Sequence, residues 1–162
     1  MLIYHGSNMR VEKPEIIDSN RGLDFGKGFY TTGSFEQAKR FAANIVKRRG
    51  GQPVVSTYEF DYEKAKVDLS IRLFDSADET WLDFVCDNRL NKYMGEQHDI
   101  VQGPVANDRV YRTLIFYEEG DLNKEQTLAA LMTSVLDDQI TFCTEKALSY
   151  FEFIDSEVLR NG

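Results

Sequence analysis

The sequence is poor in cysteine and in histidine, with two residues of each type among its 162. Cys86 and Cys143 stand inside apolar stretches and lack the paired spacing of zinc sites and disulfide frameworks. His5 and His98 lie far apart and have no patterned carboxylates beside them. We therefore expect two free, buried thiols and no bound metal ion.

The sequence also lacks any long apolar run and any excess of positive charge. No segment offers the roughly 18 uncharged apolar residues of a membrane span, and the N-terminal residues lack the apolar run of a secretion signal. The 19 Lys and Arg residues face 27 Asp and Glu residues, which gives a formal net charge of −8. Because binding to phosphate backbones depends on Lys and Arg, we do not expect broad binding to nucleic-acid backbones. We expect a cytoplasmic protein with no membrane partner.

The sequence does contain enough apolar residues for one core. Hydrophobic residues make up 42% of the chain and aromatic residues 12%, which suits a single domain over residues 1–162. The periodicity predicts strands and helices in mixed order, and therefore an α+β fold. Strands are predicted at 2–4, at the end of 25–32, and at 54–60, 66–68, 98–101 and 139–143. Helices are predicted at 35–49, from 76 or 78 to 90, and at 123–136 and 144–150.

Local signals indicate where some of these elements begin and end. Ser34 and Gln37 have the spacing of a capping box, and Gly50-Gly51 follows the basic end of the same helix. Gly103-Pro104 predicts a break in regular secondary structure. The irregular connection at 8–24 is long enough that we expect it to have a functional role.

Two glycine-bearing motifs lie near the N-terminus. Tyr4-His5-Gly6-Ser7 follows the first strand and Phe25-Gly26-Lys27-Gly28-Phe29-Tyr30 leads into the second, so that 25 positions separate His5 from Tyr30. From the residues alone, Tyr30 also suits core packing, His5 a polar position at a strand end, and Ser7 a turn.

In this order and spacing the two motifs resemble the catalytic domain of the ADP-ribosyltransferases, in the branch of diphtheria toxin and poly(ADP-ribose) polymerase. Most of the chain is also similar to small bacterial proteins of unknown function with that domain, through the stretch Asp99–Asp108 and the closing Gln139-Ile-Thr-Phe. The resemblance implies an ADP-ribosyltransferase-like α+β fold. Two small, mainly antiparallel sheets would pack on each other and frame an NAD cleft, with helices around them.

The resemblance also implies a role for each motif residue. His5 would hydrogen-bond the adenosine ribose, and the backbone of Gly6 would hold the nicotinamide carboxamide at close range. Ser7 would bind a nearby hydroxyl or the carboxamide. Tyr30 would stack on the nicotinamide ring, and Gly28 would belong to the same NAD-binding set.

Three further positions complete the implied NAD site. Arg21 and Lys27 would flank the pyrophosphate and attract it, although solvated surface charge is the alternative for both. Asn107, next to Asp108, would border the cleft and touch the acceptor or the nicotinamide ribose. The alternative for this pair is a turn that caps the following element.

The third motif departs from the family pattern. Many relatives place a Glu on a late strand, whereas Gln139 stands at the best-matching position here. An amide can orient the ribose 2′-hydroxyl, but it adds no negative charge at the breaking bond. The resemblance therefore implies transfer of single ADP-ribose units and no chain synthesis. Glu145 is the alternative third residue, although after Thr144 it also suits the first turn of a helix.

The function implied by the resemblance is an NAD-dependent mono-ADP-ribosyltransferase, with Gln139, Tyr30 and His5 as its catalytic residues. NAD would be the substrate, no metal would be needed, and the acceptor would be an unknown protein or nucleic acid. By analogy alone, an intracellular bacterial toxin with an antitoxin-type protein partner fits such a chain. Two alternatives stay open, namely an NAD glycohydrolase and a non-catalytic NAD-binding module.

Overall fold

The computed structural model describes residues 1–17 and 23–160. The strands within these ranges are β1 (Leu2–Ser7), β2 (Phe29–Thr31), β3 (Val54–Phe60), β4 (Ile71–Leu73), β5 (Ile100–Val105), β6 (Asp137–Phe142) and β7 (Phe151–Val158). The helices are α1 (Phe35–Arg49), α2 (Tyr62–Asp68), α3 (Glu79–Arg89), α4 (Asp108–Glu118), α5 (Lys124–Met132) and α6 (Glu145–Leu148).

The strands form two small sheets. One has the order β1-β3-β7 and the other the order β2-β6-β5-β4. Every pairing is antiparallel except that of β4 with β5. A bridge between Tyr4 and Thr32 joins β1 to the end of β2, and so links one sheet to the other. The expected class, α+β with two small, mainly antiparallel sheets and several helices, is confirmed.

Side chains alternate between the two faces of each sheet, and this alternation creates two cores. The first core lies between the sheets, and its buried side chains include Ile3, Phe29, Tyr58, Ile100, Ile140 and Phe142. The second core lies on the other face of the four-stranded sheet, under α3, α4 and α5, and includes Phe25, Trp81, Val101, Val110 and Leu131. Helix α1 covers the outer face of the three-stranded sheet, where Phe35 packs on Tyr4.

Helix α1 begins and ends at the predicted residues. The Ser34 side chain accepts a hydrogen bond from the Gln37 backbone, and Gly50 ends the helix with a φ of 79°. The predicted capping box is wrong in one respect, because the Gln37 side chain does not bond back to the Ser34 backbone. The buried Gln37 amide donates to the Asp138 carbonyl (3.0 Å) and accepts from the Asp138 N–H (3.3 Å). Gln37 therefore fastens α1 to the start of β6.

The predicted strand at 66–68 is wrong, because these residues end α2. Asp61 caps this helix by accepting a hydrogen bond from the Lys64 N–H. Ala65 and Leu69 are both buried in the first core, and their spacing of four residues suits a helix.

The predicted break at Gly103-Pro104 is also wrong, because both residues lie inside β5. A Cβ atom at Gly103 would stand 2.8 Å from the Phe74 Cβ, so close packing requires the glycine. The Gln102 carbonyl faces β4, since it accepts a hydrogen bond from the Phe74 N–H. Pro104, two residues further along β5, directs its nitrogen to the same side, where the paired residues of β4 have already ended. The missing N–H of the proline therefore removes no ladder hydrogen bond.

Other differences concern the extent of elements. Strand β1 continues to Ser7, β6 begins at Asp137, and the helices predicted at 123–136 and 144–150 end earlier, at Met132 and Leu148. Strand β7 was not predicted; it forms the edge of the three-stranded sheet and exposes acidic side chains, namely Glu152, Asp155 and Glu157. Among the described residues, no helix has the length and apolar character needed to cross a membrane.

Candidate functional site

The two sequence motifs meet where β1 and β2 diverge. The backbones of Tyr4 and Thr32 exchange two hydrogen bonds, of 2.8 and 2.9 Å. Continuing this antiparallel register would place Gly6 opposite Tyr30, but within the described residues the pairing of β1 with β2 consists of this single bridge. The two strands therefore separate between Gly6 and Tyr30, and we call this opening the β1–β2 split.

Gly6 serves helix packing on one side and faces the split on the other. A Cβ atom at this position would lie 2.9 Å from the Ala42 nitrogen and closer still to the Ala38 carbonyl oxygen, so no side chain fits under α1. Backbone polar groups two residues apart on a strand point the same way. Since Tyr4 directs its N–H and C=O to β2, Gly6 directs its own pair into the split.

His5 is held as a neutral imidazole beside Tyr30. Its Nδ1 lies 2.7 Å from the Tyr30 carbonyl oxygen, and because a carbonyl only accepts, Nδ1 carries the proton. Burial lowers the pKa of His5, and the ring stacks on Phe29 at 4.4 Å between centroids. The remaining nitrogen, Nε2, is thus an acceptor suited to a hydroxyl donor.

Tyr30 is fixed by the loop that precedes β2. Its hydroxyl donates to the Gly26 carbonyl and accepts from the Phe25 N–H at 3.2 Å. Burial raises the pKa of Tyr30, and the nearby Asp24 and Cys143 raise it further. The phenol therefore stays neutral at physiological pH, and both ends of its ring are anchored.

Gln139 shares one face of the four-stranded sheet with Tyr30. Tyr30 pairs with Thr141 across β2 and β6, and Gln139 lies two residues before Thr141 on the same face. The His5 side chain lies on the opposite face, where it stacks on Phe29 at the margin of the first core and is half-buried. The split thus brings the His5 ring to the Tyr30 backbone, while Gln139 lies along the sheet from the Tyr30 ring.

Close packing at Gly28 completes this region. A Cβ atom at Gly28 would stand 2.7 Å from the Thr141 Cγ2 and 2.8 Å from the Phe142 carbonyl oxygen. The lack of a side chain at Gly28 therefore lets β2 approach β6. The Thr141 hydroxyl is fully buried and has no hydrogen-bond partner among the described residues, so a water molecule or a ligand atom is needed to satisfy it.

Replacing Thr141 by valine tests this interpretation of the orphan hydroxyl. Thr141→Val keeps the branched shape and removes the unsatisfied oxygen, so the free energy of unfolding is expected to rise by about 1 kcal/mol. Urea denaturation of both proteins measures the difference. A loss of stability would instead mean that the hydroxyl has a partner in solution.

A buried ion-pair network supports the loop that holds Tyr30. The Arg89 guanidinium donates to Glu118 at 2.6 Å and lies 3.5 Å from Asp24. Asp24 also accepts from the Ala106 N–H at 3.2 Å. Burial raises the pKa of Asp24 despite the neighbouring guanidinium. The sequence analysis did not identify this network, because its members are far apart along the chain and belong to no motif.

The other predicted site residues have mixed surroundings. Ser7 is half-buried at the end of β1, Lys27 is exposed in the loop before β2, and Arg21 lies outside the described residues. Asn107 caps α4, since its side-chain oxygen accepts from the Arg109 and Val110 N–H groups, and its amide donates to the Val135 carbonyl. This confirms the capping interpretation of Asn107.

Glu145 and the cysteines match the simpler interpretations. Thr144 caps α6 and Glu145 is its exposed first residue, as expected for favourable charge at a helix N-terminus. Both cysteines are free thiols; Cys86 is buried, whereas Cys143 is only half-buried. Across the part of the chain that the structure describes, no cluster of His, Cys, Asp or Glu could hold a metal ion.

Taken together, these features define an α+β domain with two sheets, a split between β1 and β2, and two motifs that meet at it. A family model described as a protein of unknown function (DUF3990) matches residues 1–153, and the chain belongs to this family. No curated protein and no solved structure matches the chain.

Proposed function

We propose that the protein is an NAD-dependent mono-ADP-ribosyltransferase with an ADP-ribosyltransferase-like fold. One observation carries the proposal, namely the meeting of the His5-Gly6 motif with Tyr30 at the β1–β2 split, with a 2.7 Å contact from the His5 ring to the Tyr30 carbonyl. The Gly6 backbone offers a donor and an acceptor on one side of the split. A carboxamide, which has one acceptor and one donor group, is complementary to that pair.

The neutral state of His5 supports the same proposal. Its Nε2 would accept a hydrogen bond from a ribose hydroxyl, and its position fixes the distance from that ribose to the carboxamide held by Gly6. Tyr30 would stack on the nicotinamide ring, with Gly28 giving the substrate close access to β2. Lys27, and Arg21 in the residues before it, would attract the pyrophosphate.

In the proposed reaction, the bond between nicotinamide nitrogen and ribose C1′ breaks first. Its electron pair goes to the nitrogen, so nicotinamide leaves neutral, and positive charge develops on the ribose. An acceptor nucleophile then bonds to C1′ and loses its proton to solvent. Gln139 would orient the 2′-hydroxyl, but because the amide is uncharged, it stabilises this transition state less than a carboxylate would.

Incubation with NAD tests the proposal and separates it from its alternatives. The full chain is given NAD labelled in the adenosine half, with and without cell lysate, and both nicotinamide release and labelled macromolecules are measured. A transferase releases nicotinamide and labels an acceptor only with lysate present. Release without lysate identifies an NAD glycohydrolase, and binding without release identifies a non-catalytic module.

Gln139→Glu addresses the third motif in the same assay. A carboxylate beside the 2′-hydroxyl would stabilise the developing positive charge, so nicotinamide release is expected to rise about tenfold or more, the effect of roughly 1.4 kcal/mol in the barrier. Glu145→Gln is the matched control and should leave the rate unchanged. A folded Gln139→Glu protein with no gain would remove Gln139 from the proposed catalytic set.

Tyr30→Ala tests the stacking role of this ring. Loss of the aromatic face is expected to weaken NAD binding by about 1–2 kcal/mol, or roughly 5- to 30-fold in Kd, measured by calorimetry. Tyr30→Phe is the control, since it keeps the ring and should retain most of the affinity. Equal affinity in Tyr30→Ala and the unmodified protein would exclude stacking on Tyr30.

A further inference from the structure

A separate cavity lies across the loop from Tyr30, on the same face of the four-stranded sheet. Its volume is about 310 Å³, and the loop at Phe25, Gly26 and Lys27 forms one of its walls. Since the Tyr30 hydroxyl is hydrogen-bonded to the backbone of Phe25 and Gly26, this wall stands between the Tyr30 ring and the cavity. The lining does not include His5, Gly6 or Gln139.

Part of the cavity lining is aromatic, since Phe25, Phe84 and Tyr93 belong to it. The Phe84 ring packs edge-to-face on Tyr93 at 4.9 Å and lies 6.1 Å from Phe25. Phe84 and Tyr93 are half-buried, so part of their ring surface faces the cavity. Aromatic faces of this kind favour a flat, unsaturated ligand.

Most of the remaining lining, which we call the rim, is polar. It carries three carboxamides, an imidazole and one charged group of each sign, namely Asn88, Asn91, Gln97, His98, Lys27 and Glu96. Ser70 fixes that imidazole through a 2.8 Å hydrogen bond to Nδ1, which leaves the other ring nitrogen for a ligand. Carboxamides offer a donor and an acceptor side by side, the pattern that pairs with the edge of a nucleobase.

We propose that this cavity binds an uncharged nucleobase, stacked on the aromatic rings and hydrogen-bonded to the rim amides. The volume is at the lower end of the range of small-molecule sites. The base belongs either to the adenosine half of NAD or to a separate nucleoside or nucleotide. If the base is the adenine of NAD, the inference rests on the proposed function. If it belongs to a separate nucleoside or nucleotide, the inference stands without that function.

Calorimetric titration of the full chain with adenosine, guanosine, cytidine and uridine tests the site. Asn91→Gly is the sharpest variant, because Asn91 has a φ of 56° that glycine adopts without strain, so the change removes the amide and leaves the backbone in place. Gln97→Ala removes a second amide. Both variants are expected to weaken binding of the preferred nucleoside at least fivefold. Gln52→Ala, an exposed amide outside this cavity, should have no effect.

Competition identifies the source of the base. Two competitors are compared, namely NAD and nicotinamide mononucleotide, which lacks adenine. If only NAD displaces the nucleoside, the cavity holds the adenine of NAD. If the nucleoside binds equally well to protein saturated with NAD, the base comes from a separate molecule. Nucleoside binding by a protein that binds no NAD would leave this inference standing and defeat the proposed function. The inference is overturned if no nucleoside binds, or if Asn91→Gly and Gln97→Ala bind it as tightly as the unmodified protein.

Discussion

Arg89→Met is expected to lower the free energy of unfolding by about 3–5 kcal/mol, because it leaves two buried carboxylates without their cation. The Arg89 side chain is 8% exposed, and those of Asp24 and Glu118 are 16% and 15% exposed. Methionine retains much of the side-chain length, so lost packing contributes little. Chemical denaturation at pH 7 measures the change.

Arg40→Met is the matched control. Arg40 also forms an ion pair, with Asp137 at 2.7 Å, but its side chain is 59% exposed. An exposed pair of this kind contributes about 1 kcal/mol or less. Similar losses in the two variants would mean that burial does not set the strength of the Arg89 network.

The loss in Arg89→Met is also expected to depend on pH. Burial already raises the pKa of Asp24 while Arg89 lowers it, so removing the guanidinium raises it further. An acid whose pKa is raised by folding stabilises the fold below its ordinary pKa and loses that contribution as the pH rises through the raised value. The deficit should therefore be largest near neutral pH and shrink as the pH falls toward about 4, the ordinary value for Asp.

Gly6→Ala is expected to destabilise the protein by about 3 kcal/mol, at the upper end for overpacking, because the new methyl group meets the backbone of α1. A Cβ atom would lie 2.9 Å from the Ala42 nitrogen and still closer to the Ala38 carbonyl, and a backbone cannot rotate away as a side chain can. Thermal unfolding monitored by circular dichroism measures the loss.

Gly33→Ala is the control for this change. A Cβ atom at Gly33 would have no neighbour within 4 Å, so its unfolding temperature should stay close to that of the unmodified protein. If the Gly6→Ala and Gly33→Ala proteins unfold at the same temperature, α1 does not rest on Gly6. Nicotinamide release by Gly6→Ala has to be compared at a temperature at which the variant is folded.

Local signals in the sequence predicted those parts of the fold that local interactions determine. Ser34, Asn123 and Thr144 each cap a helix at the predicted position, since an N-cap requires only a side chain and the next few N–H groups. The strand at Val54–Phe60 has the predicted bounds, because its β-branched and aromatic residues suit a buried strand.

Long-range packing explains the errors. Gly103-Pro104 looks like a break from its neighbours in sequence, but Phe74 and the end of β4 make both residues acceptable in a strand. Gln37 has the spacing of a capping box, yet it bonds to Asp138, 101 residues away. Contacts at such separations leave no trace in a local pattern.

The candidate site was predicted in a similarly uneven way. The resemblance predicted that His5 and Tyr30 lie near each other, and the His5 ring contacts the Tyr30 backbone carbonyl. The Asp24–Arg89 pair and the cavity beside Phe84 combine residues from separate segments. No single stretch of sequence contains enough of either to indicate it.

The acidic edge strand β7 affects self-association of the protein. An open strand edge offers unpaired N–H and C=O groups on which another molecule can build a continuous intermolecular sheet. Glu152, Asp155 and Glu157 give this edge a row of like charges, so two such edges repel each other at neutral pH. Self-association through β7 is thereby disfavoured.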